Sequence, residues 1–168
     1  MGAHRARPEA PPERSESLTS KQQRFIDAMG LLYERQGVAR IGGRMLGLFF
    51  ITGGPLSSER IAALLQVSRA SVSTNIRIFL HTGICEHVSV PGRREHYYAM
   101  REDAFARHLE STIGTLRTLA DLLRQGLDAI TPAHTPARSR LQEARAYCQF
   151  IEKEIAATIA RWRTRRSR

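Results

Sequence analysis

Residues 53–100 read GGPLSSERIAALLQVSRASVSTNIRIFLHTGICEHVSVPGRREHYYAM, and this stretch decides the fold of the chain. Two serines in it can cap helices, and each is followed by apolar residues at steps of three and four. The first, Ser57, predicts a short helix over residues 58–65. The second, Ser68, predicts a helix that runs to about Leu80. A tight turn around Val67 joins the two.

The second of these predicted helices has two contrasting faces. Its inward face carries Val72, Ile76, Phe79 and Leu80. Its outward face carries Ala70, Ser71, Thr74, Arg77 and Ile78, with Arg69 and Ser73 at the flanks. The chain has no acidic residue between Arg60 and Cys85. A helix face with hydroxyls and arginines and without acids suits contact with phosphate groups.

A β-hairpin is predicted directly after these helices. Residues 84–90 alternate as a strand, and residues 95–100 form the antiparallel return. The turn contains Pro91 and Gly92, with Arg93 and Arg94 at its tip. Arginines on a hairpin tip fit contact with a DNA minor groove or backbone, and the alternative is that they serve solubility alone. Two short helices followed by such a hairpin predict a winged helix-turn-helix, which places one helix in the major groove of DNA.

The flanking sequence is predicted to be helical apart from the N-terminus. Residues 1–17 are rich in proline and mixed charge, without apolar periodicity, which predicts a disordered arm. Residues 18–52 predict two supporting helices. The first begins at Thr19 or Ser20 and ends near Gln36. The second, over residues 39–52, is apolar on most sides, and its three glycines suggest close packing between helices.

The C-terminal residues 101–168 predict two long amphipathic helices and a basic tail. Apolar residues at steps of three and four run from Phe105 to Ile130, and a nearly heptad series runs from Leu141 to Trp162. The segment TPAHTP at residues 131–136 separates them. A small module cannot cover both apolar stripes, so a two-fold homodimer is expected to supply the missing surface. The predicted fold class is mainly α with a small β-hairpin wing, flanked by long dimerisation helices.

The composition narrows the class of partner. A net charge of +10, from 26 basic and 16 acidic residues, favours polyanions. No apolar run is long enough to span a bilayer, and the N-terminus lacks the apolar segment of a secretory signal. We therefore expect a cytoplasmic, nucleoid-associated protein with no membrane partner. The two cysteines, Cys85 and Cys148, lack metal-ligand spacing and are expected to be reduced thiols.

An enzyme is not expected. The six histidines show no ligand spacing with acids or cysteines, and no glycine-rich loop or nucleophile elbow stands where phosphate binding or acyl transfer needs one. The sequence predicts no catalytic residue, no metal and no cofactor.

Three motifs carry a family resemblance: RIGGRMLGLFF from residue 40, GPLSSERIAALLQVSRASVSTNIRIF from residue 54, and GRREHYY from residue 92. They resemble the winged-helix regulators of the MarR type, and within these the GbsR-like branch, named for a repressor of glycine-betaine synthesis genes. The wing of that family follows a pattern near G-D-R-x-x-Y-Y. This chain departs from it, because Arg93 stands where the family often has an acid.

The resemblance implies a homodimer that represses transcription from a pseudo-palindromic operator in double-stranded DNA. By position, it implies DNA contacts at Arg69, Ser71, Thr74 and Arg77 and a wing contact at Arg94. Ser73 and Arg93 flank these residues and complete the predicted DNA-binding set. An acid at this position can hold the wing arginine in place through an ion pair, and Arg93 cannot do this for Arg94.

The resemblance also implies relief by a small ligand, with quaternary ammonium compounds known for the name-giving branch. A cation site needs an aromatic cage. The candidates are Tyr33, Phe49, Phe50, Tyr97 and Tyr98. Aromatic residues at helical spacing also form ordinary cores, so this interpretation stays open. Two alternative functions stay open as well, namely a non-specific architectural DNA binder and a protein-interaction module without DNA contact.

Overall fold

The computed structural model describes residues 17–131 and 135–167. The chain divides into two compact units, Met1–Glu102 and Asp103–Arg168. The N-terminal arm predicted for residues 1–17 lies, up to residue 16, outside the described residues. Within the described ranges, no helix combines the length and the apolar character that a membrane crossing requires.

The first unit begins with two packed helices, α1 (Ser20–Arg35) and α2 (Arg40–Ile51). Thr19 caps α1 in a reciprocal pair with Gln22. The Gln22 amide donates to the Thr19 hydroxyl at 3.2 Å, and the Thr19 amide donates to the Gln22 side chain at 2.8 Å. The helix ends where Gly37 adopts a positive φ of 78°. The bounds of both helices agree with the predicted bounds to within two residues.

The glycines of α2 let its backbone approach its neighbours closely. A Cβ added at Gly43 would lie 2.5 Å from the carbonyl oxygen of Met29 and 2.9 Å from the Cβ of Tyr33, both on α1. A Cβ at Gly42 would lie 3.0 Å from Oδ1 of Asn75, further along the chain. Because such contacts leave no room for a side chain, the predicted reason for these glycines is confirmed.

The helix-turn-helix consists of α3 (Ser58–Leu65) and α4 (Arg69–His81). The hydroxyl of Ser57 accepts a hydrogen bond from the Arg60 amide at 3.1 Å, and that of Ser68 accepts one from the Ser71 amide at 3.2 Å. Each bond satisfies an amide that the first turn of a helix leaves without a partner. Both predicted caps are confirmed.

A three-stranded antiparallel sheet completes this unit, with β1 (Leu56–Ser57), β2 (Cys85–Val88) and β3 (Tyr97–Met100) in the order β1-β3-β2. The sequence did not predict β1, because two residues are too short to show alternation. The predicted strands over residues 84–90 and 95–100 were too long. Pairing ends at Val88 and Tyr97. Beyond it, Pro91 has no amide to donate, and the Arg93 amide closes a turn inside the loop, at 3.2 Å from the Val90 oxygen.

The core of the first unit joins α1, α2, α3, α4 and the sheet. Its largest fully buried side chains are Ile26, Met45, Leu48, Ile61, Leu65 and Val72. Cys85 belongs to the same core. Burial, together with the negative charge of the adjacent Glu86, raises the pKa of the Cys85 thiol to about 12. The thiol is therefore protonated at neutral pH and acts as a packing residue.

The second unit is a pair of long helices, α5 (Ala104–Ala129) and α6 (Thr135–Arg166). Ala106, Ile113 and Ile159 are buried between them. Glu152 accepts from Arg117 at 2.7 Å, and Glu110 accepts from Arg163 at 2.6 Å.

The connection between α5 and α6 is shorter than the sequence predicted. Helix α6 begins at Thr135, so Pro136 lies in its first turn, where a missing amide leaves no hydrogen bond unmade. The Arg138 guanidinium donates to the carbonyl oxygens of Leu127 at 3.1 Å and Ile130 at 3.4 Å, which satisfies the end of α5. Residues 132–134 lie outside the described part of the chain.

The close approach at Gly43 yields a stability prediction. Gly43→Ala should lower the free energy of unfolding by about 1–3 kcal/mol, because the added methyl meets backbone that cannot give way. Gly114→Ala is the matched control. It adds the same methyl to exposed helix with nothing within 4 Å, and should raise stability by up to about 1 kcal/mol. Urea unfolding followed by circular dichroism measures both, and an unchanged Gly43→Ala variant would contradict the packing.

Candidate nucleic-acid interface

Burial along α4 defines the face that it presents to solvent. Val72 is fully buried, and Ile76 and Phe79 are exposed by only 2% and 7%. Ser73, Thr74 and Arg77 are exposed, and Ser71 is half-buried. The predicted helix phase is therefore confirmed, and the predicted contact residues of α4 lie on or beside one solvent-facing surface.

Asn75 is a residue that the sequence analysis missed. Its side chain is only 6% exposed, and its amide nitrogen donates to the Ser71 carbonyl oxygen at 2.9 Å. Its Oδ1 faces Gly42 on α2. The spacing held a signal for this, because position 75 falls three residues after Val72 and four before Phe79. The Asn75 side chain therefore packs close to Gly42 of α2 while it bonds within its own helix.

The hydroxyls of the outward face are held by their own helix. The Ser71 hydroxyl lies 2.9 Å from that of Ser68, and the Thr74 hydroxyl donates to the Ala70 carbonyl oxygen at 3.1 Å. The Arg77 Nε donates to the Ser73 carbonyl oxygen at 3.4 Å. These bonds set the directions of the side chains. They leave hydroxyl oxygens as acceptors and the remaining guanidinium N–H groups of Arg77 as donors.

Arg69 has a partner that the sequence did not reveal. Its guanidinium forms an ion pair with Glu59, in the first turn of α3. The two side chains are 67% and 63% exposed. An ion pair this exposed contributes at most about 1 kcal/mol, so Arg69 can exchange its carboxylate for another anion at small cost.

The wing is braced against the end of α4. The Ile84 amide donates to the Phe79 carbonyl oxygen at 2.8 Å, and the Arg101 amide donates to the Ile84 carbonyl oxygen at 3.0 Å. Arg101 also pairs with Glu86 at 2.8 Å. These bonds hold the base of the wing next to the C-terminal end of α4.

Arg93 and Arg94 are exposed in the wing loop, as predicted. With His87 and His96 they line a groove of about 470 Å³. Neither histidine was among the residues that the sequence singled out. Their separation of nine positions gave no periodic signal, because only the strand pairing brings the two together.

The five aromatic candidates lie on three elements. Phe49 is buried with its ring 6.3 Å from that of Phe79, whereas the adjacent Phe50 is 42% exposed. Tyr98 is buried with its ring 5.0 Å from that of His87, and Tyr97 is half-buried. Neighbouring strand residues face opposite sides of a sheet, so these two tyrosines cannot line one cage.

Tyr33, the fifth aromatic candidate, packs at the close approach between α1 and α2. A cage made of all five residues is therefore not formed in the described part of the chain. A ligand site that uses some of them stays a prediction.

This arrangement defines a winged helix-turn-helix protein with an additional pair of long helices. Its similarity to known proteins identifies its family. A model described as MmpR5-like MarR family transcriptional regulator matches residues 103–165. HTH-type transcriptional regulator MmpR5 of Mycobacterium tuberculosis is 31% identical over 142 residues, which cover 84% of this chain and 86% of that protein. The crystal structure of a transcriptional regulator is also similar, with a TM-score of 0.81 and 30% identity, covering 86% of this chain and 99% of that one.

The chain belongs to the MarR family of transcriptional regulators. The predicted family is therefore confirmed, although the matching family model is MmpR5-like. The narrower GbsR-like assignment stays a prediction. The motifs that carried the resemblance lie in residues 40–98, whereas the family model matches the helices of the second unit. Two separate parts of the chain thus agree on the family.

Truncation of two adjacent residues of α4 should affect stability very differently. Ile76→Ala should lower the free energy of unfolding by about 2–5 kcal/mol, because it opens a cavity in the core of the first unit. Arg77→Ala, on the exposed face, should change it by no more than about 0.5 kcal/mol. Denaturant unfolding of the two variants measures both. Similar losses in the two would mean that the helix phase is wrong.

Proposed function

We propose that this member of the MarR family binds double-stranded DNA sequence-specifically, as a homodimer on a pseudo-palindromic operator. One observation carries the proposal. The exposed face of α4 presents Ser73, Thr74 and Arg77 from a segment without acids, beside a wing that carries exposed arginines. Short polar side chains and arginine can enter a major groove and reach base edges and phosphates. Arg69, Ser71, Arg93 and Arg94 extend the proposed contact.

The dimer is supported by the apolar surface of the second unit. Leu119 and Trp162, which the sequence assigned to apolar stripes, remain 44% and 45% exposed within the chain. Tyr147 and Phe150 are 63% and 59% exposed, three residues apart on α6. Large apolar side chains exposed along these two helices are consistent with an interaction surface. A second copy covers this surface and also places two α4 helices for the two halves of an operator.

The finer parts of the proposal are repression, relief by a small ligand, kinship with the GbsR-like branch and a cytoplasmic location. Tyr33, Phe50 and Tyr97 are the aromatic candidates that the core leaves partly accessible, and they are the ones proposed to contact a ligand.

Selection of binding sites from a random duplex pool, at two salt concentrations, tests the function. We expect an enriched inverted repeat with half-sites about one helical turn apart. Recovery of duplexes without a shared sequence would establish the architectural binder instead. No recovery even at low salt would contradict DNA binding and point to a protein-interaction module.

The selected duplex then tests the outward face of α4. Arg77→Ala should weaken binding by about 1–3 kcal/mol, through loss of base or phosphate contacts. Gln66→Ala, exposed in the turn before α4, is the control and should bind as the wild type does. Equal affinity of wild type and Arg77→Ala would remove this residue from the contact set.

The proposed dimer is tested by polar substitution of its apolar surface. Tyr147→Ser combined with Phe150→Ser should give a folded monomer in size-exclusion chromatography with light scattering, because the covered apolar area is lost. Gln149→Ser, exposed on the same turns, should remain a dimer. A double variant that stays dimeric would place the interface elsewhere, and a monomeric wild type would refute the homodimer.

A further inference from the structure

Two histidines that the proposed function does not use lie together where the paired strands of the wing lead into its loop. The rings of His87 and His96 are edge to face, with centroids 5.7 Å apart. His87 lies on β2, and its ring is also 5.0 Å from that of Tyr98, its cross-strand partner. Both histidines are exposed and line the same groove as Arg93 and Arg94.

The strand pairing explains this proximity. His87 is paired with Tyr98, so their side chains share a face of the sheet. His96 continues the alternation two positions before Tyr98 and therefore lies diagonally across from His87. Aromatic rings reach such diagonal neighbours. The buried Tyr98 gives the His87 ring a fixed support.

The surroundings of the pair are mostly positive. The groove itself holds Arg93, Arg94 and one acid, Glu95. On β2, Glu86 lies on the opposite face from His87 and is paired with Arg101.

Among the elements packed against the sheet, α3 contacts β1 and adds one acid, Glu59, which is paired with Arg69, and one base, Arg60. Helix α4, which packs against β2, ends at His81, and its acid-free sequence leaves Arg69 and Arg77 as its other charged groups. Helix α2, which packs against β3, carries Arg40 and Arg44, and β1 has no charged residue.

We propose that His87 and His96 form a titratable part of the wing's contact with a DNA phosphate, so that protonation of the pair tightens binding of duplex DNA. This inference rests on the proposed function. Histidine is the side chain that ordinarily changes its charge between pH 5 and 8. Two protonated rings at this spacing repel each other and the adjacent arginines. A phosphate in the groove removes that repulsion and favours the protonated rings.

The sign of the pH dependence follows from this linkage. The DNA complex holds more protons than the free protein wherever the free rings are neutral. Affinity therefore rises as pH falls, and it levels off once the rings of the free protein are already protonated. Each additional charged contact to a phosphate also releases counterions, so the dependence on salt becomes steeper at low pH.

Binding of the selected duplex, measured by fluorescence anisotropy at pH 6.0 and 8.0 at fixed ionic strength, tests this inference. Wild-type affinity should be roughly 5- to 30-fold higher at pH 6.0, and the slope of log affinity against log salt steeper by about 1. The His87→Gln and His96→Gln double variant should lose most of both effects, because glutamine keeps hydrogen bonding without a titratable charge.

Two other histidine variants serve as controls. His81→Gln, at the end of α4, and His108→Gln, on α5, should keep the wild-type pH dependence and salt slopes. The single variants His87→Gln and His96→Gln should each lose part of both effects, which gives a second measurement should the double variant unfold.

The outcomes separate the two proposals. A double variant with the wild-type pH dependence, or loss of that dependence in His81→Gln alone, overturns the role of the pair and leaves DNA binding intact. Equal wild-type affinity at the two pH values does the same. A wild-type protein that binds no duplex at either pH refutes the proposed function itself.

Discussion

The contact between α4 and α2 determines which side chains of α4 face solvent and how the chain enters the wing. On one side of α4, the ring of Phe79 packs near that of Phe49, and Asn75 faces Gly42, where no side chain intervenes. A rotation of α4 about its axis by one residue, about 100°, would bury hydroxyls of the outward face and expose apolar residues of the inner face. The core therefore selects which face of α4 is outward, and hydrogen bonds along the helix then orient the side chains on that face. The same contact directs the chain into β2, because the Ile84 amide bonds back to Phe79.

Charge in the described part of the chain is divided between scaffold and interface. In the second unit, Glu152 pairs with Arg117 and Glu110 pairs with Arg163. In the first unit, Asp27 lies 3.0 Å from Arg44, although the N–H of Arg44 does not point well enough at it for a hydrogen bond. By contrast, Arg77 forms no ion pair within the described residues, and the ion pair between Arg69 and Glu59 is exposed. Positive charge is therefore available to a polyanion where α4 faces solvent.

The parts of the fold that the sequence predicted are those with local causes. A capping serine or threonine fixes the start of a helix within four residues. Ser57 and Ser68 were predicted as caps, and Thr19 was one of two residues predicted for the start of α1. The features that the sequence missed depend on partners far along the chain. The two residues of β1 form a strand only because β3 is beside them. Asn75 is buried because Gly42 leaves space for it, and the sequence analysis assigned it to neither face of the helix. The ends of the wing strands depend on where pairing stops.

The wing differs from α4 in a way that bears on regulation. Arginines stay charged at any physiological pH, so the contribution of Arg77 cannot be adjusted by protons. Residues 89–96 lie beyond the last strand pair, where the backbone ladder no longer fixes each position. The His87 and His96 pair lies at the boundary between the paired strands and this loop, with one ring supported by Tyr98. A titratable charge placed there changes the strength of the wing contact while the face of α4 stays as the core has set it. The side chains proposed to read the DNA sequence lie on α4, and the histidines proposed to adjust affinity lie in the wing. Affinity can then change with pH while sequence preference stays the same.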